Sequence, residues 1–247
     1  MDKVIVIVDF NNVFRGSITS ITKQQYETFF SDVIQRILSF SSEMPSEILI
    51  RLYGGWYESN NLTNNASDVL SKIELVDLFP IILNKNKIDG SIEIANIQFG
   101  LNKIWYNTIQ EKAGLPRLRI DENYQSDSCS LNKLLCPVHI LRKFVHKKQT
   151  ICQNEGCSTV HNKVFYRREQ KMVDTMMTCD IISYSSERNV SSVYVITDDV
   201  DLFPGMAISK IKHADVDVCL FVRTENQKIS YQRILDDYNI NVKSLDL

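Results

Sequence analysis

Several classes of protein are excluded by what this chain lacks. No apolar run approaches the roughly 20 residues that span a bilayer, so no membrane partner is expected. Eight glycines and five prolines are too few for a fibrous or low-complexity chain. There is no glycine-rich phosphate loop, no dinucleotide fingerprint and no internal repeat, and no serine has the partners of a nucleophile. The opening MDKVIVIVDFNN lacks the layout of a signal peptide: its apolar stretch is short, it breaks at Asp9, and no small-residue cleavage site follows. A buried first strand in a cytoplasmic protein is the expectation.

What is present can bury a sizeable core, since 44% of the 247 residues are hydrophobic. That length suits one large domain, or one domain with an insertion. The formal net charge of −2 says little, but its distribution says more. Between Cys136 and Lys171 stand Arg142, Lys143, Lys147, Lys148, Lys163, Arg167, Arg168 and Lys171, against only Glu155 and Glu169. A basic stretch in a slightly acidic chain is the footprint of a polyanionic partner, or else a solvated charged face.

Residues 3–8, KVIVIV, read as a strand buried on both faces of a parallel sheet. Residues 22–40 place apolar side chains at Tyr26, Phe29, Phe30, Val33, Ile34, Ile37 and Leu38, the stripe of an amphipathic helix. A strand over 48–55, a helix near 66–76 and a strand over 79–83 continue the alternation. Residues 84–165 break it and read as an insertion, with 92–99 a candidate strand. The rhythm resumes with a helix over about 169–187, a strand over 191–197, a short helix near 206–211, a strand over 217–223 and a helix near 229–238. The expectation is one α/β domain with a mainly parallel central sheet.

Two of these strands end in carboxylates: Asp9 with Asn11 and Asn12 after the first, and Asp198, Asp199 and Asp201 in VYVITDDVDLFP. Ligands of open α/β sheets bind at the carboxyl ends of the strands. Acids gathered there repel one another unless a cation or a proton intervenes, and hard Mg²⁺ or Mn²⁺ favours carboxylate oxygen. KMVDTMMTCDII adds Asp174 near a helix start, where the helix dipole tolerates negative charge. Asp180, about 240° further round that helix, is expected to pair with a surface base instead. Strand alternation puts Asp199 and Asp201 on one face and Asp198 on the other. For any single aspartate, helix capping or turn formation is the competing reading.

VIVDFNNVF resembles the opening D-x-x-N of NYN-type and PIN-like nucleases, EQKMVDTMMTCDII resembles their K-x-V-D helix, and VYVITDDVDLFP is similar to their strand ending in S/T-x-D-x-D-F, with Leu202 replacing the aromatic. The resemblance covers about a fifth of the chain, in the family's order. It implies a PIN-like (Rossmannoid) three-layer α/β/α sandwich and Mg²⁺- or Mn²⁺-dependent hydrolysis of phosphodiesters, usually in RNA. By residue, Asp9, Asp174, Asp199 and Asp201 would hold metal or position water. Asn12 would orient Asp9 or a phosphate, Thr197 would bond a carboxylate, and Lys171 would meet a phosphate. Asp198 departs from the small residue common at its place.

Six cysteines without a secretion signal point to metal binding or burial rather than disulfides. Cys136-Pro137-Val138-His139 and Cys152-Gln-Asn-Glu-Gly-Cys157 stand twelve residues apart, a spacing that suits a closed, structural tetrahedral Zn²⁺ site. Cys129, His146 and His161 are possible substitutes, and unrelated buried thiols are the other reading. A zinc module over about 129–161 would substitute for a core too small to stand alone, and its basic residues, with Arg167 and Arg168, would hold RNA. Cys179 and Cys219 are expected in the core. Gly54 and Gly55, between Tyr53, Trp56 and Tyr57, make either a tight turn with core aromatics or a base-stacking surface. Alternatives to a ribonuclease are an RNA-binding or assembly module with a degenerate site, and a phosphatase or nucleotide hydrolase using the same acids. A protein partner or a homo-oligomer is compatible with either.

Overall fold

The structure is a computed structural model that describes residues 2–14, 20–41, 43–59, 61–95, 108–113, 151, 155–160 and 165–245. The chain divides into two compact units, Met1–Ile109 with Gln170–Leu247, and Gln110–Glu169.

The first unit is built on β1 (Lys3–Asp9), followed by the short α1 (Phe10–Val13), α2 (Lys23–Phe40) and β2 (Glu47–Tyr53). A small hairpin, β3 (Tyr57–Glu58) with β4 (Asn61–Leu62), leads to α3 (Asn64–Ile73), β5 (Ile81–Leu83) and β6 (Asn86–Ile94). The strands β7 (Ile109–Ala113) and β8 (Tyr166–Gln170) pair as a separate two-stranded sheet. The chain then runs through α4 (Val173–Ser185), β9 (Val190–Ile196), α5 (Phe203–Lys212), β10 (Asp217–Val222), α6 (Glu225–Leu235) and β11 (Asn241–Ser244).

Seven strands form one sheet in the order β11-β10-β9-β1-β2-β6-β5. All its pairings are parallel except β5 with β6, whose two-residue connection, Asn84 and Lys85, has positive φ at both positions (50° and 68°). β1 is central and its β-branched run fills both faces. Val4, Val6 and Val8 join the cluster that includes α2 and α3, while Ile5 and Ile7 join the cluster of α4, α5 and α6. Helices thus cover both faces of a mostly parallel sheet. α2 buries Tyr26, Phe29, Phe30, Val33, Ile34 and Ile37, each worth about 1.5–3 kcal/mol if fully transferred from water. Its start is fixed by a capping box in which Thr22 and Gln25 bond reciprocally.

Three sequence expectations are corrected here. Residues 86–94, placed within the insertion, form β6 and pair with β2. Only its end, 92–94, falls within the candidate strand over 92–99, whose residues 96–99 lie outside the described ones, because the rest of β6 is mostly polar. Glu169 and Gln170, placed at a helix start, end β8, and α4 begins only after Met172 turns the backbone to φ 68°. Cys179 is exposed, because two helical positions beyond the buried Met177 lie about 200° round the axis. Cys219 is buried, and burial raises its thiol pKa to about 12.

Candidate acidic site

The carboxyl ends of β1 and β9 lie side by side, and both give way at once to short turns. β1 ends in Asp9, which caps α1 by accepting from Asn12 N at 3.3 Å. β9 ends at Ile196, and the chain passes through Thr197 into a 3₁₀ turn over Val200–Leu202 capped by Asp199, whose Oδ1 accepts from Asp201 N at 3.0 Å. α4 brings Asp174 in its first turn. Where α2, α3 and α6 are capped by Thr22, Thr63 and Thr224, α4 has no side-chain cap, and its preceding residue, Met172, holds a left-handed conformation rare for a side chain of that size.

These elements enclose a cavity of about 270 Å³ lined by Asp9, Asn11, Asn12, Gln170, Val173, Asp174 and Asp199. Three of the seven are carboxylates, and none is a lysine or arginine. Thr197, 2% exposed, joins the two strand ends: its hydroxyl donates to Asp9 Oδ2 at 2.9 Å and accepts from Asp199 N at 3.0 Å. The Asn12 amide also donates to Asp9 Oδ2. Asp9 is therefore held by three donor groups, yet its pKa is raised. Burial outweighs the bonds to Asn12 and Thr197, and the Asp199 charge adds to the rise. The pKa of Asp174 is raised too, by burial and then by Asp199, Asp9 and Asp201. Each of the two carboxyls resists ionising, in part because the others are there.

The expected acids are thus distributed as follows. Asp9, Asp174 and Asp199 share the cavity. Asp201 is exposed on the 3₁₀ turn, outside the lining. Strand alternation does not govern it, because β9 has ended at Ile196. Asp198 turns away to Arg223, Nε to Oδ2 at 2.5 Å, and Tyr231 bonds its carbonyl at 2.9 Å. Among the described residues, no three His, Cys, Asp or Glu side chains converge closely enough to hold one metal ion. The three carboxylates line one cavity without meeting at a point. As a donor set they suit a hard divalent cation, being anionic oxygens with a polar layer of Asn12 and Thr197 behind them.

Asp180 finds a buried base rather than a surface one. Arg51 on β2, 3% exposed, stands 3.6 Å from Asp180 and 3.3 Å from Glu93, its register partner on β6. It donates to the Tyr184 hydroxyl, and Tyr53 donates to Asp180. The aromatic faces of Tyr53 and Tyr184 lie 5.8 and 5.5 Å from the guanidinium. Burial acts against the charge on Arg51, but Tyr53, Tyr184 and Asp180 keep it protonated.

Lys171 is half-buried, outside the cavity lining, with its backbone N–H on Thr108 O at 2.9 Å. Arg167 and Arg168 belong to the second unit, where Arg167 pairs with Glu169. Of the expected zinc ligands, Cys136, His139 and Cys152 lie outside the described residues, as do the substitutes Cys129, His146 and His161. Cys157 is half-buried beside Gly156, whose φ of 77° uses the freedom expected of a glycine there. Trp56 is a core residue, and a Cβ at Gly54 would meet its ring at 2.7 Å, which favours the tight-turn reading of that segment. Two polar lining residues have no role assigned from the sequence: Asn11, a neighbour of Asp9, and Gln170, which carries no signal of its own. Compared with protein-family models, curated proteins and solved structures, the chain matches none.

Proposed function

We propose that the chain is a metal-dependent ribonuclease of the NYN/PIN-like type, with Asp9, Asp174 and Asp199 as its acidic core and Asp201 at its rim. The observation that carries this reading is the single cavity at the carboxyl ends of β1 and β9, to which a strand, a helix and a turn each contribute one carboxylate and no base. A structural acid finds a counter-charge, as Asp198 and Asp180 do. The cavity acids instead face one another, and that arrangement suits a site completed by a cation. A bound Mg²⁺ or Mn²⁺ supplies an activated water and a clamp on phosphate oxygens.

Within this reading the protein's own groups have distinct tasks. Asp9, Asp174 and Asp199 present ligand oxygens. Asn12 and Thr197 fix the rotamer of Asp9, and Thr197 also anchors the backbone at Asp199. Lys171, Arg167 and Arg168 contribute positive charge toward the RNA backbone. The zinc module is proposed from the spacing of Cys136, His139, Cys152 and Cys157, as a structural element of the inserted segment.

The separation of the three carboxylates favours one second reading, an RNA-binding module whose site no longer gathers a metal. One experiment decides between them. Labelled single-stranded and structured RNA, with matched DNA, is incubated with the wild type and Asp199→Asn in Mg²⁺, Mn²⁺ and EDTA. Cleavage that requires both metal and Asp199 is the expected result. Salt-dependent RNA binding without cleavage by the folded wild type would replace the nuclease with the binding module, and full activity in Asp199→Asn would remove the acid cluster from the chemistry.

A further inference from the structure

The cavity wall that is not acidic is made of two neutral amides. Asn11 Nδ2 donates to Gln170 Oε1, a bond between residues 159 apart in sequence. Both side chains line the same cavity as Asp9, Asp174 and Asp199, and neither amide has another protein partner among the described residues. The remaining polar inventory is fixed by chemistry. Two primary amides that share one hydrogen bond keep three N–H groups and their carbonyl lone pairs, whichever of the two is the donor. The pair therefore offers donors and acceptors together at the cavity surface.

The Gln170 end of the pair is held firmly. Its neighbour Lys171 donates its backbone N–H to Thr108 O at 2.9 Å, and Thr108, 1% exposed, accepts from Tyr57 N at 2.9 Å. Gly55 lies close beneath: a Cβ there would come within 2.4 Å of Ile109 Cδ1 and 3.7 Å of Gln170 Oε1. A mixed donor–acceptor wall is a poor phosphate site, because the carbonyl oxygens repel an anion and the lining holds no cationic side chain. It is a good site for a neutral group that both donates and accepts, and a ribose hydroxyl is such a group.

We infer that Asn11 and Gln170 together form a subsite for the 2′-hydroxyl of the nucleotide bound at the acidic cavity, and so select RNA over DNA. This rests on the reading of the cavity as a nucleic-acid site. Two residues would thereby be specificity-determining without taking part in the chemistry.

The test compares an RNA oligonucleotide with chimeras carrying a single 2′-deoxy substitution at each position in turn. Wild type, Gln170→Met and Asn11→Ala are assayed for cleavage in Mn²⁺, and for binding by fluorescence anisotropy in Ca²⁺, which takes carboxylate oxygen as well. In the wild type, one position is expected to lose about tenfold or more when its 2′-hydroxyl is removed, the worth of one good hydrogen bond. In either variant the ribo-to-deoxy ratio at that position falls toward one, with the far-ultraviolet circular dichroism unchanged. A wild type indifferent to every 2′-hydroxyl overturns the inference, and so do variants that keep the wild-type ratio. If nothing is cleaved but binding still shows a ribose preference that Gln170→Met erases, the nuclease reading falls and the subsite stands.

Discussion

Two polar clusters lie on the same face of the sheet and share one helix, yet they are built on opposite rules. α4 contributes Asp174 from its first turn to the cavity and Asp180, six residues on, to the Arg51 network. In the second cluster a guanidinium sits among two carboxylates and two phenols, and hydrogen bonds and aromatic faces account for its burial. In the first, carboxylates face carboxylates, and the pKa values of Asp9 and Asp174 both rise. A cluster that serves only the fold neutralises itself. One that gathers like charges at a strand-end cavity makes its carboxyls resist ionising, and under the proposed function a cation would balance them.

The comparison is broken most severely from the balanced side. Arg51→Met leaves Asp180 and Glu93 without their cation, with Tyr53 still bonding Asp180, and breaking a buried pair in this way costs about 3–5 kcal/mol. Urea unfolding should show that loss, while the same measurement on Asp199→Asn should move by no more than about 0.5 kcal/mol, the range of changes away from packed or paired sites. A smaller effect is expected at Thr197, which lies behind the cavity acids and carries no charge. Thr197→Val keeps the shape and removes the hydroxyl that orients Asp9, so metal-dependent cleavage should fall about 10–100-fold, as for other groups behind a metal ligand. Retained activity in Thr197→Val would mean that Asp9 needs no such support.

The smallest effect sharpens the contrast through pH. Because the folded pKa of Asp174 lies above 3.8, the folded chain holds that proton more tightly than the unfolded one does. Its contribution to stability is full below 3.8 and is lost as pH rises through the folded value. Asparagine imitates the neutral form. In EDTA, the melting temperature of Asp174→Asn relative to wild type should therefore climb as pH rises through that window, and added salt should shrink the difference, since the group is partly exposed. A pH-independent difference would show that the Asp174 carboxyl is not perturbed, and a pH-dependent one that ignores salt would assign the shift to burial rather than to the neighbouring acids.

Parts of this contrast were legible in the sequence, and parts were not. Asp9 and Asp199 could be placed because long β-branched runs announce β1 and β9, and a strand end in a parallel sheet is where ligands go. Asp174 came from the local pattern around a helix start. The separation of Asp198 from Asp199 was also legible, although by an argument that holds only to Ile196, since the 3₁₀ turn beyond it ignores strand alternation and leaves Asp201 exposed. The partner of Asp180 was hidden. An arginine in ILIRLY reads as one polar interruption of a strand, and nothing local says that it faces α4 rather than solvent. Gln170 was hidden for a related reason: it ends β8 where the sequence pattern places a helix start, and it reaches the cavity through tertiary packing. β11, four residues long, offered too little apolar pattern to be seen, and of β6 only the end at 92–94 fell within a candidate strand.

The order of strands in the sheet bears on how the protein comes into being. β1 is made well before its sheet neighbour β9, which follows some 190 residues later, and the Thr197–Asp9 bond that joins their tips spans 188 positions. Until that late segment docks, the central strand has a vacant edge and Asp9 has neither Thr197 nor Asp199 beside it. All the residues between β1 and β9 are therefore synthesised before the acid cavity can exist. A chain released just before residue 190 would carry Asp9 and Asp174 but neither Thr197 nor Asp199. Vectorial synthesis thus delays the assembly of this cavity until β9 and the turn after it have been made.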